Sequence, residues 1–177
     1  MEDLVFAQNL IKRQAKEYCD FLRSHNDDSF EKGPEGKWNT SQHLDHLIKS
    51  TKPLNSILGK PKLVIRSMFG KSNRASRSYE ALVNKYQSKL AEGPVVAPAS
   101  FLPKGFAKID KLKAISIFEK EIERLISISK KWSEKDADIY ILPHPLLGKL
   151  TVREMLFFTA YHTQHHHKIL EANYTDL

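Results

Sequence analysis

Apolar residues recur three and four positions apart in several long stretches of the chain, and this spacing constrains the fold more than any other feature. Comparable stripes predict helices over about residues 2–24, 40–58, 76–92, 110–132 and 151–173. The clearest stripe, in the fourth of these, consists of Leu112, Ile115, Phe118, Ile122, Leu125 and Ile126. Five helices without a convincing pair of strands or a repeat predict an all-α bundle.

The segments between these helices are rich in proline, glycine and polar residues, and we expect long loops there. The stretch KLVIRSMF at 62–69 is too short to fix its period, and we interpret it as an extra short helix. DADIYILPHPLLG at 136–148 contains two prolines and is predicted to be extended. The apolar loop VVAPASFLP at 95–103 is expected to cover a pocket. Pro53, inside the second helix, predicts a kink.

The length of 177 residues predicts a single domain over residues 1–177, here the helical bundle, and 41% hydrophobic with 28% charged residues is typical of soluble globular chains. No apolar run approaches the roughly 20 residues of a transmembrane helix, and the amino terminus lacks the pattern of a secretory signal. We therefore expect a cytoplasmic protein that does not act on membranes. Cys19 is the only cysteine, which excludes an intrachain disulfide, and its helical position favours a small buried hydrophobe over a nucleophile.

Basic residues are concentrated between Lys60 and Arg77, where the chain has no acidic residue. We interpret this segment as a solvated loop and helix edge, with the binding of a small anionic ligand as the alternative. Nucleic acid is not an expected partner, because recognition would need stacking aromatic side chains or a recognition helix beside the charge, and the segment offers only Phe69.

The last predicted helix contains the stretch HTQHHH, and its start is predicted by a capping box of Thr151 and Glu154. Residues four apart share a helix face, so His162 and His166 lie on the inward stripe. His165 lies at the margin of the stripe, and His167 is about 140° away and is expected in solvent. A metalloprotease is disfavoured, because the glutamate between the paired histidines of zinc proteases is missing here.

A third ligand to a metal is available in the second helix, in the stretch QHLDHLIKS. His43 lies near the edge of the leucine stripe of that helix and His46 lies farther round, so periodicity alone favours His43 without excluding His46. Any metal here must use imidazole or carboxylate ligands, because the chain has no thiolate cluster.

Two segments together resemble the DinB/YfiT-like family of metalloenzymes. They are KWNTSQHLDHLIKS, with a tryptophan eight residues before a histidine, and HPLLGKLTVREMLFFTAYHTQHH, with paired histidines in the last helix. The resemblance covers nearly the whole chain. It implies an up-down-down-up four-helix bundle and a site of three histidines, here His46, His162 and His166, that holds nickel, zinc or another divalent ion. Relatives include transferases that use a low-molecular-weight thiol such as bacillithiol, and a mycothiol-dependent maleylpyruvate isomerase.

The resemblance leads us to expect a metal-dependent S-transferase acting on a small-molecule substrate, with a homodimer as the plausible assembly. A non-catalytic bundle that binds a metal or a ligand is the alternative. The two differ in coordination, because His43, His165 or Asp45 as a fourth ligand would indicate a structural site. Further candidates near the site are Asp45, as an acceptor that orients an imidazole, and Tyr161, at the pocket mouth.

Overall fold

The computed structural model describes residues 2–26, 30–93, 97–106 and 109–173. Its regular elements, in chain order, are α1 (Leu4–Ser24), α2 (Thr40–Leu58), α3 (Lys62–Phe69), α4 (Tyr79–Ala91), a 3₁₀ turn (Ala99–Phe101), α5 (Lys111–Ser129), α6 (Glu134–Ile139), β1 (Ile141–His144), β2 (Gly148–Thr151) and α7 (Val152–Asn173).

Four helices, α1, α2, α5 and α7, form the bundle, and the all-α prediction is confirmed. Helix α1 packs against α5 and α7, and α2 packs against the same two helices. The five periodic stretches all form helices, and so does 62–69. Helix α2 runs through Pro53 without interruption, and its kink stays a prediction, as does the up-down-down-up order.

Capping side chains fix where the bundle helices begin. Asn39 accepts a hydrogen bond from the backbone N–H of Gln42, whose side chain accepts one from the backbone N–H of Asn39. The predicted box at the start of α7 is confirmed: the Thr151 backbone N–H donates to Glu154 (2.9 Å), and the Glu154 backbone N–H donates to the Thr151 hydroxyl (3.2 Å).

Two predictions for the segment 134–151 are wrong. The chain was expected to contain no convincing pair of strands, and residues 136–148 were expected to be extended throughout. The first part of the segment is α6, capped by Ser133, whose hydroxyl accepts a hydrogen bond from the backbone N–H of Asp136. The rest is an antiparallel hairpin in which Ile141 pairs with Thr151 and His144 with Gly148. Both strands of a two-stranded sheet are edges, so Pro143 is tolerated in β1.

The basic segment also differs from the prediction of a solvated edge. Arg74 donates two hydrogen bonds to the Glu154 carboxylate (2.6 and 2.8 Å), and the backbone and side chain of Arg77 donate to the same group (2.8 and 3.0 Å). Lys62 pairs with Asp136 (2.5 Å). Part of the positive charge therefore holds 62–77 onto α6 and α7 and is not available to a partner.

Helix α7 is the central helix of the fold. Every residue from 152 to 163 is buried, which is the pattern of a helix surrounded by other elements and not of a surface helix. It contacts α1, α2, α4, α6 and both strands. Among the described helices, none combines the length and the hydropathy that a membrane-spanning segment requires.

We predict that Glu154→Gln lowers the free energy of unfolding by about 2–3 kcal/mol, because the Glu154 side chain is fully buried and five N–H donors converge on its charge. The expected loss is below that of a fully buried ion pair, since Arg74 and Arg77 remain about one third exposed. Urea unfolding measures it, with the exposed Glu123→Gln as the matched control. Equal loss in both variants would contradict the role of Glu154.

The same carboxylate predicts a pH dependence of stability. Burial disfavours its charge, but the hydrogen bonds from Arg74 and from the Arg77 and Thr151 backbone outweigh burial and lower the pKa of Glu154 below its usual 4.5. A group with a depressed folded-state pKa stabilises the fold above its unfolded pKa, and this contribution is lost as the pH falls through the folded value. The difference in unfolding free energy between wild type and Glu154→Gln should therefore be full at pH 7 and shrink below about pH 4.5.

Candidate metal centre

The side chains of His46, His162 and His166 meet between α2 and α7. Nε2 of His162 lies 3.2 Å from Nε2 of His46 and 3.0 Å from Nε2 of His166. One nitrogen from each ring falls in a group whose members all lie within 4.8 Å of one another. The two helices thus bring together three donor atoms that are separated by up to 120 positions in the sequence.

The orientation of His46 is fixed by the segment that crosses α2. Its Nδ1 donates to the carbonyl oxygen of Phe101 (2.8 Å), so a neutral ring has its lone pair on Nε2, the atom that faces His162. Two bonds hold this segment in place: Lys49 Nζ donates to the Leu102 carbonyl (3.0 Å), and the Lys104 N–H donates to Asp45 (2.7 Å).

Gly105 brings the crossing segment against α2. Its φ of +75° is in the left-handed region, and a Cβ there would lie 2.7 Å from the hydroxyl oxygen of Ser41. A residue with a side chain at 105 would be strained by this φ, and either the Ser41 hydroxyl or the crossing segment would have to move.

The orientation of His166 is fixed from the other side by His43. The Nδ1 atoms of these two rings are 2.7 Å apart, and both residues are buried. With Nε2 of His166 directed at the group, its Nδ1 proton is shared with Nδ1 of His43, as in outer hydrogen bonds of metal-bound histidines. Trp38 covers the pair, stacking on His166 (interplanar angle 10°) and meeting His43 edge to face.

Burial keeps the three rings uncharged at neutral pH. It lowers the pKa of His162 and His166 well below the usual value, and neighbouring histidines lower both further. Burial also lowers the pKa of His46, against which the hydrogen bond to Phe101 acts. Metal ions bind the neutral form of imidazole, so the rings need not lose a proton before binding.

The arrangement fits a divalent metal ion. Two histidine nitrogens that bind one ion at about 2.0–2.1 Å in tetrahedral geometry lie about 3.3 Å apart, close to both measured separations. The group found among the described residues has three members and no carboxylate. His43 is occupied with the far nitrogen of His166, so it does not complete a fourth position.

The three histidines open into a cavity of about 710 Å³ between α2, α4, α7 and the hairpin. Its described lining residues include no Asp, Glu, Lys or Arg, and its walls are mostly apolar, with Leu47, Leu54, Phe101, Met155 and Phe158 among them. The predicted covering loop is confirmed for Ala97, Pro98 and Phe101, whereas Val95 and Val96 lie outside the described residues. A cavity of this size and character suits an uncharged, largely apolar small molecule.

Two of the candidates near the site, Asp45 and Tyr161, make other contacts. The Asp45 carboxylate is buried and accepts from Lys49 and from the Lys104 backbone, and its role as an acceptor that orients an imidazole stays a prediction. Tyr161 is not at the cavity mouth; its hydroxyl accepts from Gln87 (2.8 Å), and its ring packs on Tyr86.

The two remaining histidines of α7 lie outside the three-nitrogen group. His165 lines the cavity at the margin of the stripe, as predicted, with its ring against Tyr86. His167 is not in solvent: only 13% of its side chain is exposed, and it packs against Tyr18 and Phe21 of α1. The helix wheel placed it outside the stripe correctly, but α1 covers that face of α7.

Cys19 of α1 is buried, and burial raises the pKa of its thiol to about 12. It is therefore a thiol and not a thiolate at neutral pH, as expected of a core residue.

The model of the DinB superfamily matches residues 10–170 of the chain. The chain belongs to the DinB superfamily. The match spans all four bundle helices and the three histidines, so this DinB chain carries its candidate centre inside the family fold. No curated protein and no solved structure matches it.

Sequence analysis of this DinB chain missed two contributions to the centre. Trp38 was noted only for its distance from His46, yet its ring covers His43 and His166. Phe158 stacks on His162 with an interplanar angle of 24°, four positions before it on the same face of α7. The four-residue spacing was the available signal for Phe158.

We predict that His43→Ala weakens binding of Zn²⁺ or Ni²⁺ by about 10–100-fold, because His166 loses the partner of its Nδ1. His43→Asn should retain most of the affinity, since its side-chain oxygen can stand where Nδ1 stood. Isothermal titration of the metal-free chain measures both. Wild-type affinity in His43→Ala would show that the contact does not position His166.

Proposed function

We propose that this DinB protein is a metal-dependent S-transferase, in which His46, His162 and His166 hold a divalent ion and a low-molecular-weight thiol is joined to an apolar electrophile. The observation that carries the proposal is the combination of three neutral nitrogen ligands, no fourth ligand among the described residues, and an uncharged cavity beside them.

The charges of the site favour a thiol as the additional ligand. Three neutral imidazoles leave the charge of a divalent ion uncompensated, and the described cavity wall supplies no carboxylate to balance it. A divalent ion bound there would lower the pKa of a coordinated thiol. The chain's contribution is to hold that position beside a nonpolar space. In the transfer, the sulfur–carbon bond forms, the bond to the leaving group breaks, and the thiol proton is released.

The walls of the cavity favour an apolar second substrate. The hydroxyls of Ser50, Thr51, Thr159 and Thr163 donate to backbone carbonyls of their own helices and so present few free donors to a guest. A charged substrate would lose its hydration without gaining an opposite charge from the described lining.

The alternative is a bundle that binds a metal or a ligand without turnover, and a fourth protein ligand would distinguish it from an enzyme. A closed structural site would need a fourth protein ligand, and the described residues supply none to the group. The alternative is therefore an open binding site and not a structural one. A cytoplasmic location and a homodimer remain predictions for this protein.

We predict that purified wild type binds one equivalent of Ni²⁺ or Zn²⁺ and that the His162→Ala, His166→Ala double variant retains almost none, because two of the three nitrogens are lost. Elemental analysis after dialysis against trace metal measures the content. His167→Ala, on the same helix but packed against α1, is the matched control and should bind as wild type does. Equal metal content in wild type and the double variant would show that the ligands are wrongly assigned.

We also predict that the metal-loaded protein consumes a thiol in the presence of an apolar electrophile. The assay pairs bacillithiol, mycothiol, cysteine or glutathione with 1-chloro-2,4-dinitrobenzene and records the thioether product. In the cobalt-substituted protein, thiol addition should produce a sulfur-to-cobalt charge-transfer band, which reports thiol binding without turnover. A band without product for any pair would favour the non-catalytic alternative, and its absence for every thiol would overturn thiol activation.

A further inference from the structure

The imidazole of His144 lies in the cavity wall and takes no part in the three-histidine group. It is the last residue of β1, at the point where the hairpin turns through residues 145–147. Its side chain lines the cavity that the metal centre shares.

The hairpin fixes which nitrogen of His144 carries the proton. Its Nδ1 accepts hydrogen bonds from the backbone N–H groups of Leu146 (3.1 Å) and Leu147 (3.0 Å). A nitrogen that accepts has no proton, and a neutral imidazole carries one, so the proton is on Nε2. Burial lowers the pKa of this ring to about 4, which agrees with a neutral ring at physiological pH.

The protonated nitrogen is available to a guest. Nδ1 is directed at the turn, so Nε2, on the far side of the ring, is directed away from it. In the part of the chain that the structure describes, Nε2 makes no hydrogen bond, although the ring lines the cavity. Because the tautomer is fixed, Nε2 is always a hydrogen-bond donor. Most other polar groups of the cavity wall already have hydrogen-bond partners within the protein.

One aromatic ring separates His144 from the centre. The His144 ring meets Phe158 edge to face, with centroids 4.2 Å apart. Phe158 in turn stacks on His162, with centroids 4.9 Å apart. A small molecule that reaches the three histidines along the face of Phe158 therefore passes within reach of the Nε2–H group.

We propose that His144 is a specificity-determining residue: its Nε2–H donates a hydrogen bond to a carbonyl-type oxygen of an apolar substrate and orients that molecule beside the three histidines. The reaction that the bound molecule undergoes depends on the proposed function, whereas the binding of that molecule by His144 does not. The substrate class is an uncharged, largely apolar molecule with one hydrogen-bond acceptor.

A half-buried donor in an apolar wall can select between guests. A carbonyl oxygen that leaves water loses a hydrogen bond, and the Nε2–H group of His144 can replace it. A hydrocarbon of the same shape loses no hydrogen bond, but it leaves that Nε2–H group without an acceptor. We expect a preference of about tenfold for the acceptor-bearing molecule over its hydrocarbon analogue.

Two substitutions distinguish the roles of the two ring nitrogens of His144. In His144→Asn, the side-chain oxygen takes the place of Nδ1 and accepts from the turn, but nothing replaces Nε2–H. In His144→Gln, the amide nitrogen takes the place of Nε2 as a donor, but the acceptor for the Leu146 and Leu147 N–H groups is lost. If His144 only held the turn, only His144→Gln would change ligand binding. Our proposal instead predicts that His144→Asn loses the preference for an acceptor-bearing ligand.

The test compares binding of 4-phenylbutan-2-one and n-butylbenzene, which differ by one carbonyl, to the zinc-loaded protein and to the protein after chelation. Heteronuclear NMR titration gives the affinities. Wild type should prefer the ketone about tenfold in both forms, with a change in the His144 ¹⁵N resonance on binding. His144→Asn should lose this preference while keeping wild-type metal content and n-butylbenzene affinity, and His144→Gln should retain part of it.

The proposal is overturned if wild type shows no preference for the ketone, or if His144→Asn retains it in full. Failure of the proposed function has a different signature, because thiol consumption would be absent while the ketone preference and its loss in His144→Asn persist. A preference seen only with zinc present and independent of residue 144 would assign ketone recognition to the metal, which also contradicts the role of His144.

Discussion

Three imidazole nitrogens converge in this protein because two of the rings are held by their opposite nitrogens. His46 is anchored by the Phe101 carbonyl and His166 by His43, and both contacts are short. An imidazole that is free to turn about its side-chain bonds would move its lone pair out of the group, at the cost of little more than rotamer energy. The hydrogen bonds outside the group therefore determine the geometry inside it.

These anchoring contacts depend in turn on the packing of α7. The helix is buried on all sides over its first twelve residues, so its rotation about its own axis is fixed by contacts with α1, α2, α4, α6 and both strands. Glu154 adds a second constraint at its start, because one carboxylate receives donors from the Thr151 backbone and from the 74–77 segment. Arg74 and Arg77, which were predicted to lie on a solvated edge, instead fasten the chain to this helix.

The cavity combines a polar group of histidines with an apolar wall. A group of histidines open to an ion is polar, whereas the described wall around it is apolar and uncharged. The low polarity of the wall strengthens an electrostatic interaction formed at the group, because apolar side chains screen charge less than water does. It also leaves the few unpaired donors, such as Nε2 of His144, with more influence on which molecules bind.

The sequence by itself determined the helices and the inward face of α7. Periodicity and capping predicted where α2 and α7 begin, and the four-residue spacing placed His162 and His166 together, since both are properties of one continuous helix. The third histidine came from the family resemblance, because the helix wheel of α2 favoured His43. The wheel assumed one buried face, but α2 is buried both against the bundle and toward the cavity, so His43 and His46 are both inside.

Only the tertiary structure decided the roles that depend on contacts between distant segments. The tautomer of His46 depends on a carbonyl 55 positions away, and the orientation of His166 depends on a ring 123 positions away. The hairpin that fixes His144 and the cover of α1 over His167 were also hidden, because short strands and buried outer faces leave no periodic signal in the sequence. The spacing of residues along a helix determines which side chains share a face of that helix. Which other elements contact that face is determined only by the packing of the whole chain.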